Sequence, residues 1–358
     1  MKILTVIGAR PQFIKAAVVS RHLHAKHTEI IVHTGQHFDA SMSSLFFREL
    51  DLLPPDFNLG VGSDAGPVEK HIEKARQELI RIIKKSKPDI VLVYGDTYST
   101  LAGALAAADT KTPLAHVEAG MRSFNLSMPE EFNRIICDGL SDLLFCPTRT
   151  AVENLKAEGR ISGVRLTGDV MYDACLYYMR QAEKKSKIMD RLNLKPEEYC
   201  LATLHRRSNA DNSVNLKKIF LAFRSSNEKI ILPLHPRTRK MLGKFGMEKF
   251  TGAIKNVRIL EPAGYFDLLV LEKNAKKIIT DSGGMQKEAY FLKVPCITLR
   301  EETEWTETVR DRWNVLVGTD TGKIVSAIKH FNPRGKTRKL FGNGNAGRKI
   351  VRAMECFA

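Results

Sequence analysis

A chain of 358 residues with 43% hydrophobic and 27% charged side chains has the length of two ordinary domains and a globular, not disordered, composition. No apolar run approaches the roughly 18–20 residues that span a bilayer, and the opening MKILTVIGAR lacks a secretory leader's apolar stretch and cleavage site, so no membrane role is expected. The formal net charge of +16 comes from dispersed bases without an RNA-binding signature, which reads as a solvated basic surface and a site for an anionic small molecule, with no nucleic-acid partner. Six cysteines, none in a C-x-x-C pair or near a His at ligand spacing, read as reduced thiols of a cytoplasmic protein with no metal site.

The apolar run over 3–7 predicts a strand and the amphipathic stretch over 11–24 a helix. Residues 30–33 predict a strand, 41–50 a helix, and 68–85 a long helix that stops before Lys87-Pro88. Residues 89–94 are apolar almost throughout, as in a strand covered on both faces of a parallel sheet. A helix over 99–108, a strand over 114–117, a helix over 129–141 and a strand over 143–146 continue the alternation. It breaks near Gly168-Asp169, where a helix over 170–185 and a polar stretch to Pro196 intervene. Strands over 199–204, 229–234, 257–260, 277–280 and 296–299 then alternate with helices over 215–222, 237–245, 265–274 and 284–292. A helix over 346–355 closes the chain. The expectation is an α/β protein of two Rossmann-like doubly wound domains with a cleft between them. The first covers 1–168, the second 169–345, and the terminal segment 346–358 packs back on the first.

Open parallel sheets bind ligands beyond the carboxyl ends of their strands, and the chemistry-bearing residues fall there. After the first strand, Gly8 permits a tight turn, Pro11 suits a first helical position, and Arg10 and Lys15 bring two cations to a helix N-terminus that already favours an anion. The plainer reading is a turn with two surface cations. The turn is not the G-x-G-x-x-G fingerprint, which argues against NAD. Tyr94-Gly95-Asp96-Thr97 follows another strand. His116-Val117-Glu118-Ala119-Gly120, Arg122 and Pro129-Glu130-Glu131 follow the next. Asp96, Glu118 and Glu130 are thus expected at one sheet edge, where gathered carboxylates become usable as acid and base near neutral pH. Glu130 and, more so, Glu131 also fit as charges complementing a helix N-terminus.

In the second half, His205 with Arg206 and Arg207 stands at a strand end and is either structural or phosphate-facing. His235-Pro236-Arg237 repeats the pattern with less support. In Asp281-Ser282-Gly283-Gly284-Met285-Gln286-Lys287-Glu288, the glycines let backbone N–H groups approach a phosphate, and Glu288 lies one turn on, within reach of ribose hydroxyls. The alternative is a Gly-rich turn with a surface Glu. Arg300 with Glu302 and Glu304 follows the next strand.

The segments GARPQFIK, HTGQH, YGDT, HVEAGMRS, PEE-x-NR, LHRR, TDSGG-x-Q-x-EA and GNG-x-A, in order from residue 1 to about 350, resemble the non-hydrolysing UDP-N-acetylglucosamine 2-epimerases. The resemblance implies a two-domain fold like that of GT-B glycosyltransferases, UDP held mainly by the second domain, no cofactor or metal, and a homodimer that makes surface-polysaccharide precursors. It further implies anti elimination of UDP to a 2-acetamidoglycal and re-addition, so that carbon 2 is inverted. By residue matching, Asp96, Glu118 and Glu130 carry the proton transfers, with acid and base undecided between them. Arg10, Lys15 and His205 lie near the diphosphate, Ser282, Gly283 and Gly284 cradle phosphate, and Glu288 holds the ribose. Arg122, His235, Arg237 and Arg300 are grouped with the substrate-binding residues.

Gln12 stands where the N-acetylglucosamine enzymes usually carry Glu, and Ser208 also stands where Glu is usual. The loop from Glu118 to Glu130 is about two residues shorter than theirs. Phe38-Asp39 lacks the polar residues of a second, regulatory UDP-sugar site, so none is expected. GARPQFIK, HTGQHFD, NLSMPEE and HPRTR look closer to the branch acting on UDP-2,3-diacetamido-2,3-dideoxy-glucuronate. A hydrolysing epimerase and a GT-B glycosyltransferase are the alternatives.

Overall fold

The first apolar run forms β1 (Lys2–Ile7), whose last five residues are all buried. Pro11 opens α1 (Arg10–Leu23), as its missing N–H allows. The structure is a computed structural model that describes residues 1–36, 47–63, 66–333 and 335–357. Residues 41–46 of the helix expected over 41–50, as well as His37 and Phe38-Asp39, lie outside the described residues. After β2 (Thr28–His33) and β3 (Phe57–Asn58), the alternation runs through α2 (Val68–Ser86), β4 (Ile90–Tyr94), α3 (Tyr98–Thr110), β5 (Leu114–Val117), α4 (Pro129–Leu140), β6 (Leu143–Cys146), α5 (Arg149–Ala157), β7 (Val164–Leu166) and α6 (Val170–Lys185).

Among the described residues the seven strands form one parallel sheet in the order β3-β2-β1-β4-β5-β6-β7. Apolar residues of β1 and β4 (Leu4, Val6, Val91, Val93) share a buried cluster with Leu79 and Ile83 of α2 and Ala102 of α3. Helix α3 approaches the sheet on small residues. A Cβ at Gly103 would come within 2.8 Å of Val93 Cγ1, so only glycine keeps that spacing.

The second block comprises α7 (Ile188–Leu192), β8 (Cys200–Thr203), α8 (Arg207–Ala210), α9 (Ser213–Ser226), β9 (Ile230–Pro233), α10 (Pro236–Lys244), α11 (Glu248–Gly252), β10 (Val257–Leu260), α12 (Tyr265–Lys273), β11 (Lys277–Thr280), α13 (Gly283–Leu292), β12 (Cys296–Thr298), α14 (Thr306–Arg310), β13 (Asn314–Leu316) and α15 (Thr321–His330). Its parallel sheet has the order β10-β9-β8-β11-β12-β13. Leu216, Phe220 and Phe223 of α9 pack with Ile230, Leu232, Ile279 and Ile297 of this sheet.

The chain divides into two units, Met1–Leu176 with Lys339–Ala358, and Tyr177–Arg338. The last helix, α16 (Ala346–Glu355), therefore belongs to the unit that holds β1. It packs on α1, where a Cβ at Gly347 would meet Val18 Cγ1 at 2.9 Å. Asn345 offers α16 no side-chain cap, and Asp173 of α6 supplies one by accepting the Gly347 N–H at 3.0 Å.

The α/β class with two Rossmann-like doubly wound domains is the one read from the sequence. Between residue 146 and the break read near Gly168-Asp169, the alternation has two further elements that were not assigned from the sequence, α5 and β7. β7 is a half-exposed three-residue edge strand, so its apolar signal is faint. Among the described residues no helix is long and apolar enough to cross a membrane.

Candidate active site

In the first unit the strand order reverses between β1 and β4, the place where doubly wound sheets open a crevice at their carboxyl edge. Gln12, fully buried on α1, stitches the two strand ends together. Its Oε1 accepts the Gly8 and Ala9 N–H groups at 2.8 and 3.0 Å, and its Nε2 donates to the Tyr94 carbonyl at 2.9 Å and Thr100 Oγ1 at 3.0 Å. Lys15, one turn on, donates from Nζ to Glu118 Oε1 at 2.6 Å. This pair lies over Gly95, where a Cβ would sit 3.0 Å from Lys15 Nζ and 3.6 Å from Glu118 Oε1. Gly95 also has φ +65°, so both the space and the backbone select glycine. Glu118 itself holds φ +74°, a conformation that costs a side-chain-bearing residue roughly 1–2 kcal/mol and clusters at functional sites.

Asp96 follows Gly95 directly. Its Oδ2 accepts from Arg134 Nη2 at 2.5 Å and its main-chain carbonyl from Asn133 Nδ2 at 2.8 Å. Asp96 and Glu118 thus flank one glycine. Glu130, at the start of α4, is half-buried, and its side chain makes no hydrogen bond or ion pair among the described residues.

The neighbouring Glu131 is not a solvated helix-end charge. It is buried and accepts from the Ser123 and Phe124 N–H groups and from Arg134 Nη1. Burial pushes its carboxyl up, but the Ser123 N–H, the Arg134 charge and the Phe124 N–H together hold it below the ordinary carboxylate range. Glu131 and Arg134 therefore tie the loop after Glu118 to Asp96.

Arg122, grouped by sequence with the substrate, is buried instead within the loop. Nη1 donates to Asp138 Oδ2 and the Met121 carbonyl at 2.7 Å each, while Nε and Nη2 fork onto Glu158. All three nitrogens are engaged, so Arg122 fixes the loop's path.

In the second unit the order reverses between β8 and β11. Asp281, fully buried after β11, accepts the His205 N–H at 3.1 Å, the Arg206 N–H at 3.1 Å and Asn209 Nδ2 at 3.2 Å. It thereby holds the turn that presents His205, whose Nδ1 stands 3.3 Å from Asp281 Oδ1. The His205 and His235 rings are 5.5 Å apart. His235 Nδ1 accepts the Arg237 N–H and caps α10, while the Arg237 guanidinium forks onto Asp211 at 2.8 Å on both bonds.

Ser282 caps α13 by accepting the Met285 N–H. A Cβ at Gly283 would meet Glu304 Oε1 at 2.3 Å. Glu304 stands 2.9 Å from Arg300 Nη1 and 3.6 Å from Arg206 Nη2. Glu288 is buried and accepts from the Tyr265 hydroxyl at 3.0 Å. A ten-residue helix opening on two glycines, with a buried carboxylate one turn in, has the parts to bind a phosphate and a diol. Among the described residues no group of three or more His, Cys, Asp or Glu could hold a metal.

Gln12, Arg134 and Asp281 had no assigned role in the sequence, and Glu131 was read only as a helix N-terminal charge. The i,i+3 spacing of Glu131 and Arg134 was the available signal for that pair.

A family model described as UDP-N-acetylglucosamine 2-epimerase matches residues 21–355. A Methanococcus maripaludis protein, described as a UDP-N-acetylglucosamine 2-epimerase homolog, is 52% identical over 361 residues, covering 99% of each chain. A UDP-2,3-diacetamido-2,3-dideoxy-D-glucuronate 2-epimerase of Pseudomonas aeruginosa is 44% identical over 363 residues, covering 98% of each. The crystal structure of Methanocaldococcus jannaschii UDP-GlcNAc 2-epimerase in complex with UDP-GlcNAc and UDP matches with a TM-score of 0.94 at 41% identity, over 99% of this chain and 100% of that one.

Proposed function

Because the chain belongs to the UDP-N-acetylglucosamine 2-epimerase family, we propose that it inverts carbon 2 of a UDP-linked N-acetylated sugar without releasing the free sugar. A carboxylate removes the C2 proton, the C1–O bond breaks, its electron pair leaves with the β-phosphate, and C1=C2 forms. UDP then adds back to C1 while a proton reaches C2 from the opposite face. Asp96, Glu118 and Glu130 are the proton-transfer groups in this reading. Arg10, Lys15 and His205 offset the charge that grows on the departing diphosphate, often the largest catalytic contribution. Ser282, Gly283 and Gly284 hold phosphate, Glu288 holds the ribose, and Arg300, acting through Glu304, sets the wall beside Gly283. His235 and Arg237 support the His205 turn. No metal or cofactor takes part.

The observation that carries this reading is the Lys15–Glu118 pair folded over Gly95 beside Asp96. It places a cation and two carboxylates at a strand-order reversal.

The test is incubation with UDP-N-acetylglucosamine and, separately, UDP-2,3-diacetamido-2,3-dideoxy-glucuronate in D2O, with carbon 2 followed by NMR. Deuterium at C2 of both epimers with UDP still attached is the expected result, and the sugar that exchanges faster is the substrate. Free sugar overturns the non-hydrolysing reading, and no exchange with either sugar overturns the epimerase.

The protein acts in this reading as a homodimer in the cytoplasm. The outward apolar face of α4, with Phe132, Ile135 and Leu140 exposed, supports the dimer. Five buried free cysteines among six support the compartment.

A further inference from the structure

His116 lies in the middle of β5 between Val93 of β4 and Leu144 of β6, with no exposed surface. A polar ring in that position has only two directions in which to find partners, and both of its nitrogens find an oxygen. Nδ1 is 2.8 Å from Asp138 Oδ1 on α4, and Nε2 is 2.7 Å from the Gly95 carbonyl oxygen.

A neutral imidazole has one N–H and one lone pair, whereas a carbonyl oxygen can only accept. If the single proton sat on Nδ1, the Nε2 lone pair would face the Gly95 lone pairs at 2.7 Å in a site without water-exposed surface. If it sat on Nε2, Nδ1 would face a carboxylate oxygen in the same repulsive way, unless Asp138 itself held a proton. The other oxygen of Asp138 already accepts the Gly120 N–H at 3.0 Å and Arg122 Nη1 at 2.7 Å, partners suited to the anion. Burial pushes the Asp138 carboxyl up, but the His116 hydrogen bond and charge, followed by Arg122, hold it below the ordinary range. The Cys137 and Cys146 thiols close by are pushed up by burial and stay neutral. The arrangement that satisfies every atom is an imidazolium against a carboxylate.

We infer that His116 is a positioning residue, a buried imidazolium clamped between the Gly95 carbonyl and Asp138, that fixes the two turns bearing Asp96 and Glu118. Through Gly95 it holds the left-handed residue that precedes Asp96. Through Asp138 it holds the Gly120 N–H, two residues past Glu118, at another left-handed position with φ +77°. One ring thus sets the spacing between two proton-transfer carboxylates that it does not touch, and adds a fixed positive charge behind them. The inference rests on the epimerase reading for its catalytic meaning, but the protonation itself is measurable without it.

The first experiment is NMR of the wild-type enzyme labelled with 15N in its histidines. Both His116 ring nitrogens are expected to show shifts of protonated nitrogens, because each faces an acceptor oxygen. A pyridine-like nitrogen at His116 overturns the inference. A neutron structure makes the same distinction without any variant.

The second experiment compares His116→Gln with the wild type. Because His116 has no exposed surface, kcat is expected to fall by about tenfold to a hundredfold with KM changed less than about threefold. The acid limb of the pH–rate profile should also move to higher pH, since carboxylates that lose a neighbouring cation ionise less readily. A variant whose kcat loss merely tracks its folded fraction, with the pH profile unmoved, overturns the positioning role. Failure of the wild type to exchange C2 deuterium sinks the epimerase reading and leaves the protonation result standing.

Discussion

At Gly95 two requirements coincide, a left-handed backbone and a gap through which Lys15 reaches Glu118. Gly95→Ala is expected to cost about 1–2 kcal/mol in urea denaturation, from the backbone alone. It should lower kcat by more than about tenfold, because the new methyl displaces Lys15 Nζ from 3.0 Å away. A variant with wild-type kcat would remove Gly95 from the mechanism. The motif Tyr94-Gly95-Asp96 was legible because it ends an unbroken apolar strand. Gln12 and Glu131 were not. Each acts on backbone N–H groups whose position depends on the path of a loop, and side-chain type alone does not reveal that path. Arg122 looked like a ligand for the same reason: its partners Asp138 and Glu158 lie 16 and 36 residues away.

Among the elements, the joint between α6 and α16 titrates. Burial, with help from Asp169, raises the Asp173 carboxyl to about 6, against the opposing Gly347 and Ala346 N–H groups and Lys349. The folded value lies above the unfolded one of about 4, so the folded state keeps the proton longer. The associated stability is present below about pH 4 and is lost as pH rises through about 6, an effect on the order of 2–3 kcal/mol. Asp173→Asn keeps an oxygen for Gly347 and removes the charge. It should melt above the wild type at pH 8 and level with it at pH 4. A gain that persists at pH 4, or none at pH 8, would contradict this account. The elements themselves were readable where burial was two-sided, as in β5 and β6, whose predicted limits coincide with the observed ones. Edge strands such as β7, half in water, left no periodic trace.

For the molecule as a whole, α4 presents Phe132, Ile135 and Leu140 outward, 57%, 39% and 38% exposed, on one helical face. The proposed dimer predicts that the wild type sediments as two copies at micromolar concentration and that Ile135→Glu sediments as one. A monomeric wild type would exclude the dimer.

The unit that begins the chain also ends it. Residues 177–338 form the other unit entirely, and only then does the chain return with α16 to cover α1. Because α1 is made long before α16, its Val18 flank stays bare until α16 has been made. Removing α16 should therefore uncover that flank and injure the unit that holds β1, while the unit of residues 177–338 keeps its own core.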